Sequence, residues 1–194
     1  MSQSALQFRF CHRPLDEHAA VDFLDTQKEA LYLRDKTAVS QVIDLVFNKG
    51  GVFAGFDKQR QMQAMLGFFF GEPAQDYRNK EILYMYVAAM AEKHRLTRSF
   101  HVGLTQVLRE FQLMGLQEIR LQAAEEDRYT NKLYGRFAQP IGSEKSLRGK
   151  VAITYGGTIA DALTYLERGK HAQIRHTPTY SDRNTAQHAA ALLP

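Results

Sequence analysis

Apolar residues recur along this chain with two different periods, and the two periods succeed one another. Residues 6–11 and 118–123 alternate apolar and polar positions, which is typical of half-buried strands. Residues 39–47 instead place apolar side chains three and four positions apart, which is typical of an amphipathic helix. The pattern therefore predicts a fold that combines strands with helices.

The element order predicts an α/β fold with a mixed sheet. Strands are predicted at residues 6–11, 52–56, 62–70, 82–90, 118–123 and 151–155. Helices are predicted from Pro14 with a continuation toward Leu31, at residues 39–47, at 96–111, near 129–137 and after Thr158. The order is β-α-α-β-β-β-α-β-α-β plus a C-terminal helix. Because a helix joins strands 82–90 and 118–123, we expect a right-handed βαβ unit with parallel neighbouring strands.

Length and composition fit one globular domain. The 194 residues are 44% hydrophobic and 24% charged, which excludes wholesale disorder. We expect a domain over residues 1–170 and a polar tail over 171–194. No apolar run is long enough to cross a bilayer, and residues 1–8 lack the pattern of a signal peptide, so a cytoplasmic location is expected. Cys11 is the sole cysteine and is expected to be buried, so neither an internal disulfide nor a metal site is predicted.

The charge pattern favours an anionic ligand. The chain has 25 Lys and Arg against 21 Asp and Glu, and these basic residues are spread along it rather than gathered in a stripe, so no nucleic-acid partner is expected. The densest basic patch, residues 93–98, lies between strand 82–90 and a helix. The free N–H groups and the dipole of that helix would favour a diphosphate there. A solvated loop without a ligand is the alternative.

The element order, this basic loop and the later stretch from Asp127 to Tyr134 together resemble the GNAT acyltransferase superfamily. The resemblance covers residues 6–155 and is best over 82–137. It implies acetyl-coenzyme A or another acyl-coenzyme A as the donor and a small-molecule or peptide amine as the acceptor. It also implies contacts to the donor from Val87, Ala88, Ala89, Met90, Arg95, Leu96, Thr97, Arg98, Ser99, Phe100, Asp127 and Thr130.

The phosphate loop departs from the family pattern. That pattern is Gln or Arg, two residues, Gly, one residue, and Gly or Ala. Arg95 occupies the first place, while Arg98 and Phe100 stand where the two small residues belong. Small residues let the backbone approach phosphates closely. Arg98 can add a charged donor, whereas the spacing of Phe100 to Leu104 places Phe100 on the apolar side of the helix.

The resemblance also implies catalytic roles. Tyr134, after Leu133, corresponds to the tyrosine that protonates the leaving thiolate, although a locally packed helix tyrosine is the alternative. Glu72 and Glu81 are the candidate bases, or else solvated charges at strand ends. The two central strands should separate near Ala88 and Ala89 to admit the pantetheine arm, with a backbone N–H of residues 87–90 polarising the carbonyl.

Three functional hypotheses follow. The first is N-acyl transfer from acetyl-coenzyme A, and the second is transfer from a long-chain acyl-coenzyme A or from acyl carrier protein. The third is a GNAT-shaped module that binds a partner without catalysis. A homodimer is left open by the sequence, and no membrane partner is expected.

Overall fold

The computed structural model describes residues 6–95, 97–145 and 149–171. The strands are β1 (Gln7–Phe10), β2 (Gly50–Phe56), β3 (Met62–Phe70), β4 (Ile82–Met90), β5 (Glu118–Ala124), β6 (Gln139–Lys145) and β7 (Val151–Thr158). The α-helices are α1 (Glu17–Thr26), α2 (Lys36–Lys49), α3 (Arg98–Leu113), α4 (Arg128–Tyr134) and α5 (Ile159–His171). The strands form one mixed sheet in the order β1-β2-β3-β4-β5-β7-β6, which confirms the predicted fold class.

Helices cover both faces of the sheet, and each face has its own core. On one face, α1 and α2 pack against β2, β3 and β4, with Ile43 and Phe69 fully buried between them. On the other face, α3 and α5 pack over the sheet, with Phe111 and Ile119 fully buried. The predicted βαβ unit is confirmed, because β4 pairs in parallel with β5 after α3.

The first helix differs from the prediction at both ends. It begins at Glu17 rather than at Pro14, and it ends at Thr26 well before Leu31. Residues 12–16 form a turn instead, in which the Asp16 N–H donates to the His12 carbonyl at 2.9 Å. The His12 N–H donates in return to the Asp16 carboxylate at 2.9 Å, so Asp16 closes the turn before the helix.

Strand β6 was absent from the prediction. All seven of its residues are exposed, and the strand lies at the edge of the sheet against β7 alone. Pro140 and Gly142 interrupt its sequence, and the register shifts between them. An edge strand without a buried face has no apolar alternation, which is why the sequence pattern did not reveal it.

Phe8 fixes the distance between β1 and α3. A Cβ on Gly103 would lie 2.5 Å from the Phe8 ring, and a Cβ on Gly55 would lie 2.6 Å from it. Both positions therefore need glycine so that the ring fits between strand β2 and helix α3. The ring also stacks on Phe53 with centroids 6.0 Å apart.

Two further expectations concern the chain ends and Cys11. Cys11 is buried, as expected. Of the predicted tail 171–194, His171 is the last residue of α5, and residues 172–194 lie outside the described residues. Among those that are described, no helix combines the length and the apolarity that crossing a membrane would need.

Candidate active site

The two central strands separate partway along their length. Strands β4 and β5 pair only where Ile82–Met85 lies beside Glu118–Leu121. Beyond that point β4 continues to Met90 along β3, and β5 continues to Ala124 along β7. The result is a V-shaped opening at the carboxyl ends of two parallel strands, which is where ligands bind in many α/β sheets.

A β-bulge at Tyr86 produces this separation. In the pairing of β3 with β4, Gly67 lies opposite Val87 while Phe68 lies opposite Met85, so Tyr86 is an extra residue. A bulge bends its strand and increases the local twist. It stands directly after the last β4–β5 pair, so β4 bends away where the pairing stops. The sequence placed the opening at Ala88 and Ala89; the structure opens it two residues earlier.

The loop after β4 leads directly into α3. A short 3₁₀ turn spans Glu92–His94, and Thr97 is the N-cap of α3. The Thr97 hydroxyl accepts a hydrogen bond from the Ser99 N–H at 3.1 Å and donates to the His94 carbonyl at 2.7 Å. The positive end of a 16-residue helix therefore lies next to the opening, as the anion-site prediction requires.

The side chains of this loop divide between solvent and core. Arg95 and Arg98 are exposed at the start of α3, whereas Phe100 packs against the core under α3. The ring of Phe100 therefore joins the apolar side of the helix, as its spacing to Leu104 predicted. Leu96, the remaining apolar residue of the predicted loop, lies outside the described residues.

His94 is the one loop residue with a buried polar side chain among those described. It is 5% exposed, and its Nδ1 has no hydrogen-bond partner among the described residues. Burial lowers the pKa of His94 below its usual value, the neighbouring Lys93 lowers it further, and Asp57 acts in the opposite direction. At neutral pH the imidazole is therefore uncharged, and it does not add to the positive charge of the loop.

Tyr134 lies in the aromatic cluster over β5 and β7. It is buried at the end of α4, with its ring centroid 5.8 Å from that of Tyr155 and 6.1 Å from that of Phe137. Tyr155 pairs with Leu121, the last residue of β5 that also pairs with β4. The Tyr134 ring is therefore one side chain away from the apex of the opening.

Asp127 and Thr130 have a structural task at the start of α4. The Asp127 carboxylate accepts hydrogen bonds from the Thr130 N–H at 3.0 Å and from the Thr130 hydroxyl at 2.6 Å. This is an N-cap arrangement, which stabilises the first turn of a helix. The two residues that the resemblance assigned to donor binding thus act locally on α4, which carries Tyr134.

Asn131 is a residue that the sequence reasoning missed. Its amide nitrogen donates to the carbonyls of Ala124 and Asp127, at 2.8 and 2.9 Å, and its amide oxygen accepts from the Tyr155 hydroxyl at 3.0 Å. One side chain therefore ties α4 to the end of β5 and to the middle of β7. A polar residue on the buried side of a short helix, three positions before Tyr134, was the available signal.

The two candidate bases lie in different surroundings. Glu81 is exposed immediately before β4, and five residues at about 3.3 Å each separate it from Tyr86 by about 17 Å, so it is not brought to the opening. Glu72 is half-buried, with the guanidinium Nε of Arg120 at 3.3 Å and the Gln75 amide donating to it at 3.0 Å.

Glu72 lines a cavity of about 190 Å³ on the sheet face that carries α1 and α2. Tyr84, Glu144 and Thr154 are among the other lining residues. Thr154 pairs with Gln122, the first residue of β5 beyond the β4–β5 pairing, and Gln122 donates to Glu144 at 3.0 Å. The cavity therefore adjoins the opening.

A second cavity, of about 340 Å³, lies at the opposite end of β5. It is lined in part by Gly157 and Thr158, which pair with the first residues of β5. It is therefore remote from the opening. Within the described ranges, no three His, Cys, Asp or Glu side chains are grouped so as to hold a metal ion.

Comparison of the sequence finds no match, whereas comparison of the structure finds proteins of similar fold. No protein-family model and no curated protein matches the sequence. A GNAT-family acetyltransferase from Staphylococcus aureus superimposes with a TM-score of 0.60 at 9% identity, covering 80% of this chain and 99% of that one. A ribosomal-protein-S5-alanine acetyltransferase from Vibrio fischeri gives 0.60 at 11% identity, covering 83% and 97%.

A spermidine/spermine N-acetyltransferase from Vibrio cholerae is also similar. Its TM-score is 0.57 at 12% identity, with 83% of this chain and 96% of that chain covered. Structural similarity at such low identity shows a shared fold, and the match covers nearly the whole of each of these three proteins. This chain therefore has the fold of the GNAT acetyltransferases.

Proposed function

We propose that this chain is an N-acetyltransferase that moves the acetyl group of acetyl-coenzyme A to the amine of a small molecule or peptide. The observation that carries the proposal is the opening between β4 and β5 at the Tyr86 bulge. Past the bulge, the backbone of β4 pairs with β3 on one side and faces the opening on the other. Its polar groups there suit the two amides of a pantetheine arm, which is itself an extended chain.

The loop after β4 supports binding of the diphosphate. The start of α3 contributes partial positive charge, and Arg95 and Arg98 contribute full charges at its exposed edge. Arg98 stands where the family has a small residue, so the chain gains a charged donor in exchange for a closer backbone approach. We assign the diphosphate to this edge and the thioester to the apex of the opening.

The reaction needs few protein groups. The amine nitrogen attacks the thioester carbonyl carbon, and a C–N bond forms. The carbonyl oxygen accepts a hydrogen bond from a backbone N–H of residues 87–90. The C–S bond then breaks, and the sulfur leaves with the electron pair of that bond. Tyr134 donates its phenolic proton to the thiolate, and it is reprotonated through solvent by the proton that the attacking nitrogen loses as the amide forms. Its place beside Tyr155, over the end of the β4–β5 pairing, supports this role.

The acceptor amine enters from the cavity that Glu72 lines. An amine is protonated at neutral pH, and the Glu144 carboxylate, which accepts from the neutral Gln122 amide, offers it complementary charge beside the pair of Glu72 with Arg120. The amine must lose a proton before attack, and Glu72 is the proposed acceptor of that proton through water. Glu81 has no place in this scheme, because it lies outside the cavity and remote from the bulge.

Calorimetric titration tests the proposal and its rivals. We expect acetyl-coenzyme A to bind at a single site, and a long-chain acyl-coenzyme A and acyl carrier protein to bind more weakly or not at all. Release of free thiol in the presence of a panel of amines then measures transfer. Tighter binding of the long-chain acyl-coenzyme A or of acyl carrier protein would identify that molecule as the donor instead of acetyl-coenzyme A. No binding of any of the three would favour the non-catalytic module.

A further inference from the structure

The connection between α1 and α2 (residues 27–35) contacts both sides of the opening. On the β4 side, the Gln27 amide oxygen accepts a hydrogen bond from Arg95 Nη2 at 2.7 Å. On the β5 side, the Tyr32 ring lies 4.7 Å from the Lys150 ammonium, which precedes β7. This connection is therefore attached at two points, and one of them is an arginine assigned to the diphosphate.

Arg95 is held by two acceptors at once. Its Nε donates to the Met90 carbonyl at 3.0 Å, and its Nη2 donates to Gln27. Two bonds to a planar guanidinium fix its orientation, although the side chain is exposed. Nη1 has no hydrogen-bond partner within residues 6–95, 97–145 and 149–171. One edge of the guanidinium is thus anchored, and the Nη1 edge is available to an anion.

Gln27 is itself fixed in place. It is the C-cap of α1, and its backbone N–H donates to the Leu24 carbonyl at 3.0 Å. Its amide nitrogen donates to the Thr26 hydroxyl at 2.9 Å, which orients the amide oxygen toward Arg95. The acceptor that Arg95 meets is therefore positioned by the end of a helix.

The far end of the connection is braced as well. The Lys150 ammonium lies 3.3 Å from the Glu126 carboxylate. The pKa of Glu126 is lowered first by a hydrogen bond from its own backbone N–H and then by the bond from Lys150, so the carboxylate stays charged at neutral pH. Lys150 thus links Tyr32 to the segment between β5 and α4. The connection is attached at its second end, and Gln27 does not stand on a free loop.

We propose that Gln27 is a positioning residue for the acyl donor, holding the Arg95 guanidinium so that its Nη1 edge meets the diphosphate. This inference rests on the proposed function. An unanchored arginine loses side-chain entropy when it binds a phosphate, and an arginine that is already fixed loses less. Gln27 would thereby raise donor affinity from a position 68 residues away in sequence, without touching the donor.

The test is a double-mutant cycle on the affinity for coenzyme A, measured by calorimetry. The variants are Gln27→Met, Arg95→Met and the pair together, because methionine keeps the length of each side chain and removes its polar head. Gln112→Met, on the exposed side of α3, is the matched control. We expect Gln27→Met to weaken coenzyme A binding about three- to tenfold, the effect of ordering one long side chain. In the Arg95→Met background it should have no further effect.

A second ligand separates positioning from a structural role. Pantetheine lacks the diphosphate, so its affinity should be the same for the wild type and for Gln27→Met. Thermal melting confirms that each variant is folded, and Gln27→Ala repeats the comparison if Gln27→Met is not. Equal weakening in both Arg95 backgrounds, unchanged coenzyme A affinity in Gln27→Met, or loss of pantetheine binding would each overturn the inference. A wild type that binds no coenzyme A would instead refute the proposed function on which the inference depends.

Discussion

Arg95 and Arg98 are the two full charges at the exposed edge of the α3 start. Replacing both with alanine should weaken acetyl-coenzyme A binding about a hundredfold or more, because charge-assisted hydrogen bonds to phosphate are each worth about 1.5–3 kcal/mol. The melting temperature should change little, since both side chains are exposed. Arg60→Ala with Arg136→Ala removes the same charge elsewhere and is the control. Equal loss in both pairs would mean that net charge alone governs affinity.

Tyr134 combines a buried ring with a proposed chemical role. Tyr134→Phe keeps the ring against Tyr155 and Phe137 and removes only the hydroxyl. We expect kcat to fall about a hundredfold, at the low end of general acid catalysis, while the affinity for acetyl-coenzyme A is kept. Steady-state kinetics with calorimetry on the same variant provide the measurement. An unchanged kcat would assign Tyr134 to packing alone.

Asp16 forms a half-buried ion pair that sets part of the pH dependence of stability. Its carboxylate is 6% exposed, and both of its oxygens accept bonds from Arg9 at 2.7 Å. The hydrogen bond from Arg9 is the main cause that lowers the pKa of Asp16 in the folded protein. Asp16→Asn should cost about 1–3 kcal/mol of unfolding free energy at neutral pH.

The sign of this pH dependence is fixed by the lowered pKa. The unfolded chain binds the Asp16 proton near pH 3.9, above the folded pKa, so the stabilisation is complete above that range. It is lost as pH falls through the lower, folded pKa. Urea unfolding from pH 7 to pH 3 should show the wild-type advantage over Asp16→Asn shrinking toward acid. Asp22→Asn, in an exposed pair, is the control; a constant advantage would contradict the assignment.

The proposed donor site depends on Tyr86, the residue of β4 that has no partner in the pairing with β3. Tyr86 and Val87 both pack on the α1–α2 side, whereas Met85 packs on the other side. Deleting Tyr86 would therefore restore regular alternation, and the rest of β4 could pair with β5. We expect a folded protein of reduced stability, because the Tyr86 ring packs 4.9 Å from that of Phe69, and no detectable coenzyme A binding.

Two measurements check this deletion, and one substitution controls for it. Circular dichroism reports whether the deletion variant folds, and calorimetry reports its affinity for coenzyme A. Tyr86→Phe keeps the bulge and should bind like the wild type. If the folded deletion variant still binds coenzyme A with the wild-type affinity, the opening is not the binding site.

The elements show where the sequence pattern carries structural information. Strand β3 has the predicted bounds, and α2 surrounds the predicted apolar stripe. The helix predicted after Thr158 is α5, and its start is capped: Asp161 accepts a hydrogen bond from the Thr158 hydroxyl at 2.7 Å, and the Asp161 N–H donates back to that hydroxyl at 3.0 Å. These features depend on neighbours in sequence. Strand β6 escaped prediction because it lies exposed at an edge and has no apolar face.

The features of the site that were not predicted depend on contacts between distant segments. The bulge exists only in the register of β4 against β3, so no pattern within β4 reveals it. The bond between Gln27 and Arg95 joins the end of α1 to the loop before α3. The basic loop itself was predicted, because its charges and the helix that follows are adjacent in sequence. Local chemistry could be predicted, whereas the geometry that places it could not.

Unfolding of the whole molecule can be followed through its single cysteine, Cys11. Cys11 is buried next to the core on the α1–α2 side, and burial raises its pKa to about 12. In the folded protein it is therefore inaccessible and almost entirely protonated at pH 8. Ellman's reagent should react only as the protein unfolds, with a urea midpoint that matches circular dichroism. Fast reaction without urea would show that this face of the sheet opens locally.

Helices cover the two faces of the sheet, and the opening between β4 and β5 connects one face with the other. The α3 side carries the basic loop and Tyr134, and the α1–α2 side carries the cavity with Glu72 and Glu144. A donor that enters from one side and an acceptor from the other would meet at the Tyr86 bulge. The proposed function therefore predicts direct transfer between two bound substrates, without a covalent enzyme intermediate.

A crystal structure with coenzyme A bound tests this arrangement most directly. We expect the pantetheine arm between residues 86–90 of β4 and 122–124 of β5, with the sulfur toward Tyr134 and the diphosphate at the start of α3 beside Arg95 and Arg98. Ligand density in that place would establish the donor site. Coenzyme A bound elsewhere on the molecule, or absent at a saturating concentration with β4 and β5 still apart, would contradict it.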